Sequence, residues 1–213
     1  VSTQSTGTQL KSIGFDQINN IQQNIINQFY EKTNDGMIFS NQVCGKTIAS
    51  LILVILKLKE RSFDSGTRAV VFAPTRELAA GMYETLSKMV EYQKNNKLAI
   101  CLLTGGAQLQ DPANQLKDSP DIVVATPGRF NHYINHLKLN SNVQLVIYDQ
   151  CDEMFWRGYD ELMEISFSYL DQAQIIIIAS AKDENLIKFW EYKLNNTLTI
   201  NLLQPVQNRY KQK

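Results

Sequence analysis

The stretch Leu145-Val146-Ile147-Tyr148-Asp149-Gln150-Cys151-Asp152-Glu153-Met154 decides how this chain folds. Its apolar start reads as a buried strand. Two carboxylates, Asp149 and Asp152, then stand at the strand's carboxyl end, where open α/β sheets keep their ligand sites. Between them sits Gln150, which has the shape of a glutamate but cannot take up a proton. Outward from this stretch, short Val- and Ile-rich runs recur at 37–40, 69–73, 98–103, 122–125, 175–179 and 198–203. They do not alternate with polar residues, which suits strands buried on both faces. Segments with helical spacing lie between them, at 48–58, 77–92, 128–137, 159–170 and 184–194. Strand and helix in alternation predict an α/β fold: a parallel sheet with helices on both faces, in a single domain.

Upstream, Met37-Ile38-Phe39-Ser40-Asn41-Gln42-Val43-Cys44-Gly45-Lys46-Thr47 reads as strand, loop and helix start. In a phosphate-binding loop, backbone N–H groups cradle the anion, a lysine pairs with phosphate oxygens and a Ser or Thr hydroxyl holds Mg²⁺. Gly45, Lys46 and Thr47 fit those roles. Ser40 stands where the pattern has glycine, and Val43 is a β-branched residue at a position where the backbone has to curl. The bland alternative is a helix start with a surface lysine. The later Asp149/Asp152 pair favours nucleotide and Mg²⁺ chemistry.

Lys plus Arg and Asp plus Glu both total 21, so no net field steers the chain to nucleic acid or membrane, and any such binding needs a local patch. Cys44, Cys101 and Cys151 are scattered and odd in number, which fits a reducing compartment rather than a disulfide framework. No apolar run reaches the ~18 residues of a membrane span. The composition therefore points to an intracellular protein, cytoplasmic or nuclear. His132 and His136 share a helix face without a nearby cysteine or carboxylate, a poor start for a metal site.

Several blocks fall in the order and spacing of the DEAD-box RNA helicases. Gly14-Phe15-Asp16-Gln17 with Ile21-Gln22-Gln23 resembles the Q motif. Pro74-Thr75-Arg76-Glu77-Leu78-Ala79 resembles motif Ia, Thr104-Gly105-Gly106 the GG motif, and Thr126-Pro127-Gly128-Arg129 motif Ib. Asp149-Gln150-Cys151-Asp152 resembles motif II, with Arg157-Gly158-Tyr159 as its sequel, and Ser180-Ala181-Lys182 stands where the family has Ser-Ala-Thr as motif III. The fit is similar to the translation initiation factor 4A group. It implies a RecA-like N-terminal domain at 14–203, after a polar tail at 1–13 and before a linker at 204–213.

The resemblance also implies roles. ATP and Mg²⁺ would be the cofactors, held by Phe15, Gln22, Val43, Gly45, Lys46 and Thr47. Gln22 would read the adenine edge, and Thr47 and Asp149 would hold Mg²⁺ through water. Lys46, Asp149, Gln150 and Asp152 would form the catalytic set, with Gln150 in place of the catalytic glutamate. Pro74, Thr75, Arg76, Gly105, Gly106, Thr126, Pro127, Gly128 and Arg129 would touch the RNA sugar–phosphate backbone without reading sequence. Ser180, Ala181 and Lys182 would link to motif II, with Lys182 free to pair directly with Asp152. Against the family pattern stand Val43 for glycine, Gln150 for glutamate, Cys151 for alanine, Lys182 for threonine and Ile18 for proline. Scattered changes of this kind describe a decayed ATPase site. The expected function is a non-catalytic RNA- or protein-binding module of a ribonucleoprotein or translation-related assembly, with a fragment or trap form of an active helicase as the alternative.

Overall fold

The computed structural model describes residues 10–11, 13–58, 66–93, 98–106, 116, 119–137 and 143–203. The strands are β1 Gly36–Phe39, β2 Ala69–Phe72, β3 Ile100–Leu103, β4 Ile122–Ala125, β5 Leu145–Tyr148, β6 Gln174–Ala179 and β7 Leu198–Asn201. They form one seven-stranded sheet in the order β3-β4-β2-β5-β6-β1-β7. Every neighbouring pair is parallel, with Val71 opposite Ile147 and Ile38 opposite Ile178 in the central registers.

The helices are α1 Asn20–Phe29, α2 Lys46–Leu58, α3 Arg76–Tyr92, α4 Pro127–Tyr133, α5 Cys151–Trp156, α6 Asp160–Ser168 and α7 Glu184–Glu191. Successive strand residues point to opposite faces. Ile38, Val71, Ile147 and Ile176 pack with α1, α2 and α3, where Ile25, Leu51, Met82 and Leu86 are buried. Phe39, Phe72, Tyr148 and Ile177 pack with α4 to α7, where Phe130, Met154, Met163 and Trp190 are buried. The inner strands β1, β2, β4, β5 and β6 are buried throughout, whereas the edge strands β3 and β7 alternate. That contrast explains the unbroken apolar runs in the sequence.

One expectation about helices needs correction. The segment at 128–137 is helical only as far as Tyr133 and continues as a 3₁₀ turn, Ile134–His136. The helices α1 and α5 were not among the segments with clear helical spacing. Polar side chains fill α1 apart from the buried Ile25, Ile26 and Phe29 and the half-buried Ile21, and a capping box of Asn19 and Gln22 starts it. α5 is too short to show a period.

At the amino ends of the strands, buried acids are fully paired. Arg68 Nη2 donates to Asp121 Oδ1 at 2.7 Å, Arg68 Nε donates to the same oxygen at 3.1 Å, and Ala99 N donates to Asp121 Oδ2 at 2.9 Å. Asp35 accepts from Ile175 N at 2.7 Å and from Asn195 N at 2.6 Å. These bonds tie β2, β3 and β4 together, and β1, β6 and the approach to β7.

Candidate nucleotide and RNA site

A parallel sheet brings all strand carboxyl ends to one rim, where ligands sit in this architecture. On this rim the motif residues divide between two halves. β1, β5 and β6 carry the phosphate loop and the Asp149–Asp152 segment. β2, β4 and β3 carry the turns at Pro74, Thr126 and Gly105.

In the first half, the loop after β1 turns through Gly45 at φ 77° into α2. Lys46 Nζ donates to the main-chain oxygens of Ser40 at 2.6 Å and Gln42 at 3.1 Å, so the ammonium lies inside the loop's curve. Thr47 Oγ1, on the first turn of α2, donates to Asp149 Oδ2 at 2.5 Å across the sheet. Asp149 is buried, and its Oδ1 has no hydrogen-bond partner. Burial pushes its carboxyl above the ordinary carboxylate range, while the Thr47 hydroxyl, the Gln150 N–H and the Lys46 charge pull it back. An unpartnered buried carboxylate oxygen beside a threonine hydroxyl is what a hard divalent cation prefers. These residues therefore fit Mg²⁺ and phosphate.

Gln150 caps α5 at φ 52°, ψ 47°. This left-handed conformation costs a side-chain-bearing residue energy and marks functional positions. Val43, by contrast, is fully exposed and is not among the described residues with positive φ. The backbone conflict expected at Val43 is thus absent, because the curl is carried by Gly45. Asp152 Oδ2 accepts from Ser180 N at 2.9 Å and Ala181 N at 3.2 Å. Lys182 is exposed and forms no ion pair with Asp152 among the described residues, so the expected Lys182–Asp152 pairing is corrected. The link between motifs II and III runs through backbone N–H groups and needs no side chain at 182. Cys151 is buried against Met163 Sδ at 3.8 Å, and burial pushes its thiol well above the usual range. It packs rather than reacts.

In the second half, Pro74, Thr75, Arg76, Gly105, Thr126 and Gly128 line one groove of ≈ 430 Å³. Residues far apart in sequence are thus brought together. Thr75 caps α3 by accepting from Leu78 N at 3.3 Å, and the helix N-terminus faces the groove. Gly106 lies beside Arg76, since a Cβ there would stand 3.3 Å from Arg76 Nη1. Pro127 and Arg129 fall outside the lining. The Arg129 guanidinium sits 4.6 Å from the Tyr133 ring centre and donates to its hydroxyl at 3.1 Å, so it props α4. Glu77, Arg157, Tyr159 and Leu162 complete the groove without having been singled out as contact residues. Arg157 is held by Glu153 at 2.8 Å on α5. The sequel to motif II was the only signal that could have marked it.

A sequence profile of the DEAD/DEAH box helicase family matches residues 19–184. The chain belongs to the DEAD/DEAH box helicase family. Among its relatives, the ATP-dependent RNA helicase DBP10 of Scheffersomyces stipitis is 34% identical over 160 residues, 74% of this chain and 17% of that protein. The ATP-dependent RNA helicase ddx54 of Dictyostelium discoideum is 34% identical over the same length, 14% of its own chain. Among solved structures, the yeast DEAD-box splicing factor Prp28 matches with a TM-score of 0.82 at 21% identity, over 95% of this chain and 50% of that one. A DEAD box protein from Methanococcus jannaschii matches with a TM-score of 0.77 at 24% identity, over 91% and 52%. These likenesses establish the RecA-like fold. The chain spans about a sixth of the curated relatives it matches. Those relatives carry the names DBP10 and ddx54, so the likeness to initiation factor 4A resolves to membership of the DEAD-box family as a whole, and the translation-related expectation gains no support. In this DEAD-box domain Gln150 stands between the two carboxylates at the carboxyl end of β5. Among the described residues, no helix is long and apolar enough to cross a membrane.

Proposed function

We propose that this DEAD-box domain binds Mg²⁺ and phosphate and holds the RNA backbone, but has lost the hydrolytic step. The observation that carries this reading is Gln150, an amide on the rim between Asp149 and Asp152. A general base must accept a proton from the attacking water, and an amide cannot. Gln150 can only orient that water, so hydrolysis is expected to fall by roughly 10²–10⁴-fold. When bound, ATP would supply the phosphoanhydride and Mg²⁺ the positive charge beside its phosphate oxygens. Lys46, Thr47 and Asp149 would hold them. Arg76 and Arg157 would meet RNA phosphates in the groove.

Two measurements test this. With single-stranded RNA and MgATP, no turnover above background is expected, and turnover at ordinary helicase rates overturns the reading. Binding to single-stranded RNA should be modest, independent of sequence and weaker as salt rises. Arg76→Glu is expected to weaken it for every sequence alike, and unchanged binding removes the groove from the proposal.

A second reading is favoured by the names and lengths of the relatives: a segment of a longer, active ATP-dependent RNA helicase acting inside the cell on RNA with protein partners. A longer natural product that turns over ATP with RNA, despite Gln150, would decide for it.

A further inference from the structure

Trp156 is 61% exposed, although tryptophan is on average a highly buried residue. It closes α5, and that helix turns its other apolar side chains inward. Met154 is fully buried, and the Phe155 ring centre lies 5.9 Å from that of Phe189. Among the described residues, no ring packs on Trp156. Glu153 stands three positions before it, so the two are neighbours on one helix face. Arg157, the next residue, reaches back to the same Glu153. Its Nε donates to Glu153 Oε1 at 2.8 Å, and its Nη2 lies at the same distance from that oxygen. The indole therefore stands beside a guanidinium that is already held in place. Arg157 and Tyr159 line the groove assigned above to RNA, so Trp156 sits at its margin.

The groove offers phosphate little net charge. Each arginine in its lining has a carboxylate beside it: Arg157 has Glu153, and Arg76 Nε lies 3.8 Å from Glu77 Oε1. The whole chain carries no net charge either. Phosphate contacts alone then bind weakly, because that part of the affinity follows the number of phosphates neutralised. Proteins that hold single strands without reading sequence add aromatic platforms to the groove, since every base has a face to stack. The exposed indole has the form of such a platform. A base inside a duplex has both faces covered by its neighbours, so the platform takes only an unstacked one.

We infer that Trp156 is a base-stacking residue: its indole takes the face of an unpaired nucleobase on the strand whose phosphates lie in the groove, next to Arg157. The inference rests on the reading of that groove as the RNA site. Its ligand class is single-stranded RNA, with any of the four bases at the stacked position. Stacking then supplies the part of the affinity that does not depend on salt.

Filter binding of the full chain tests it with two ligands: a single-stranded RNA of about ten nucleotides, and a strand of equal length that keeps ribose and phosphate but has no bases. The wild type is expected to hold the RNA about tenfold more tightly than the base-free strand, a factor that one stacked base supplies. Trp156→Ala should weaken RNA binding by about that factor and leave the base-free strand unchanged. It should also keep the wild-type dependence on salt, because no phosphate contact is lost. Trp156→Phe keeps a ring and should recover most of the loss. Arg76→Glu, in contrast, should weaken both strands and flatten the salt dependence. Equal wild-type affinity for the two strands overturns the stacking and leaves the groove standing. If the wild type binds neither strand, the groove falls with it. RNA affinity unchanged in Trp156→Ala overturns the inference and turns the indole over to a protein partner. A loss on both strands alike, which a merely structural role would give, overturns it too. Should the alanine variant fail to fold, Trp156→Ser takes its place with the same expected losses, and the wild-type comparison of the two strands decides on its own.

Discussion

The two ends of this sheet both bury aspartates, and they treat them differently. At the amino end, Asp121 and Asp35 have both oxygens bonded, the first by an arginine and a backbone N–H, the second by two backbone N–H groups. Burial still raises the Asp35 carboxyl, but its two N–H donors oppose that rise. At the carboxyl end, Asp149 and Asp152 each keep one buried oxygen without a partner. An unsatisfied buried acceptor costs stability, and a protein keeps one where a ligand completes it. One end of the sheet holds the fold together. The other bears the cost of a site.

The largest expected effect lies at the amino end. Arg68→Met leaves Asp121 buried beside an apolar chain, and should cost about 3–5 kcal/mol in urea unfolding. A loss below ~1 kcal/mol would erase the contrast between the ends.

The reverse change at the carboxyl end should stabilise. Asp149→Asn removes a buried charge that nothing completes in the free protein, for a gain of about 1–3 kcal/mol at pH 7. The pH dependence has a definite sign. Burial raises the folded carboxyl above its ordinary value of 3.8. Folding therefore favours the protonated form. Its stabilisation is complete below the ordinary value and is lost as pH rises through the folded one. Asparagine mimics the protonated acid, so the gain should be present at neutral pH and fade toward pH 3.8 and below. Thermal melts across that range read it directly, and a gain independent of pH would point to packing instead of charge.

A smaller effect sharpens the same comparison. Gln150→Gly removes a side chain from a left-handed residue, and after glycine's own entropic cost should stabilise by about 0.5–1 kcal/mol. A loss in denaturant melts would mean that the Gln150 side chain contributes more than its strain. The smallest effect is expected at Val43, which is exposed and unstrained: Val43→Gly should change stability by less than ~0.5 kcal/mol. A larger shift would show that the loop depends on that side chain.

The strands were legible because β1, β2, β4, β5 and β6 are buried on both faces, which writes continuous Val and Ile runs into the sequence. The β-strand Ile122–Ala125 and the decisive Leu145–Tyr148 fall where those runs predict. Strand order was not legible, because nothing in a local pattern says that β1 lies between β6 and β7. α1 escaped because its stability comes from its cap and three buried side chains rather than from a clear period. In the site, Thr47 with Asp149 and the groove around Arg76 could be anticipated from motif spacing. Three details could not. Lys182 is exposed and leaves Asp152 to the Ser180 and Ala181 N–H groups, which bond one of its two oxygens. Arg129 turns away from the groove because Tyr133 offers both a ring and a hydroxyl. Gln22 bonds the phosphate loop at Gly45, a contact that motif spacing does not show. Each depends on which of two nearby partners wins, and only geometry decides that.

The aromatic side chains beneath the rim have an optical consequence. The chain has two tryptophans. Trp190 is fully buried, with its ring centre 4.9 Å from that of Tyr148, the residue just before Asp149. Trp156 ends α5 at 61% exposure. The two indoles should emit at different wavelengths, the inner one blue and shielded from acrylamide, the outer one red and readily quenched. A ligand that settles on Asp149 should move the blue component, and a partner that covers α5 should move the red one. Fluorescence of the unlabelled protein can therefore tell the two events apart.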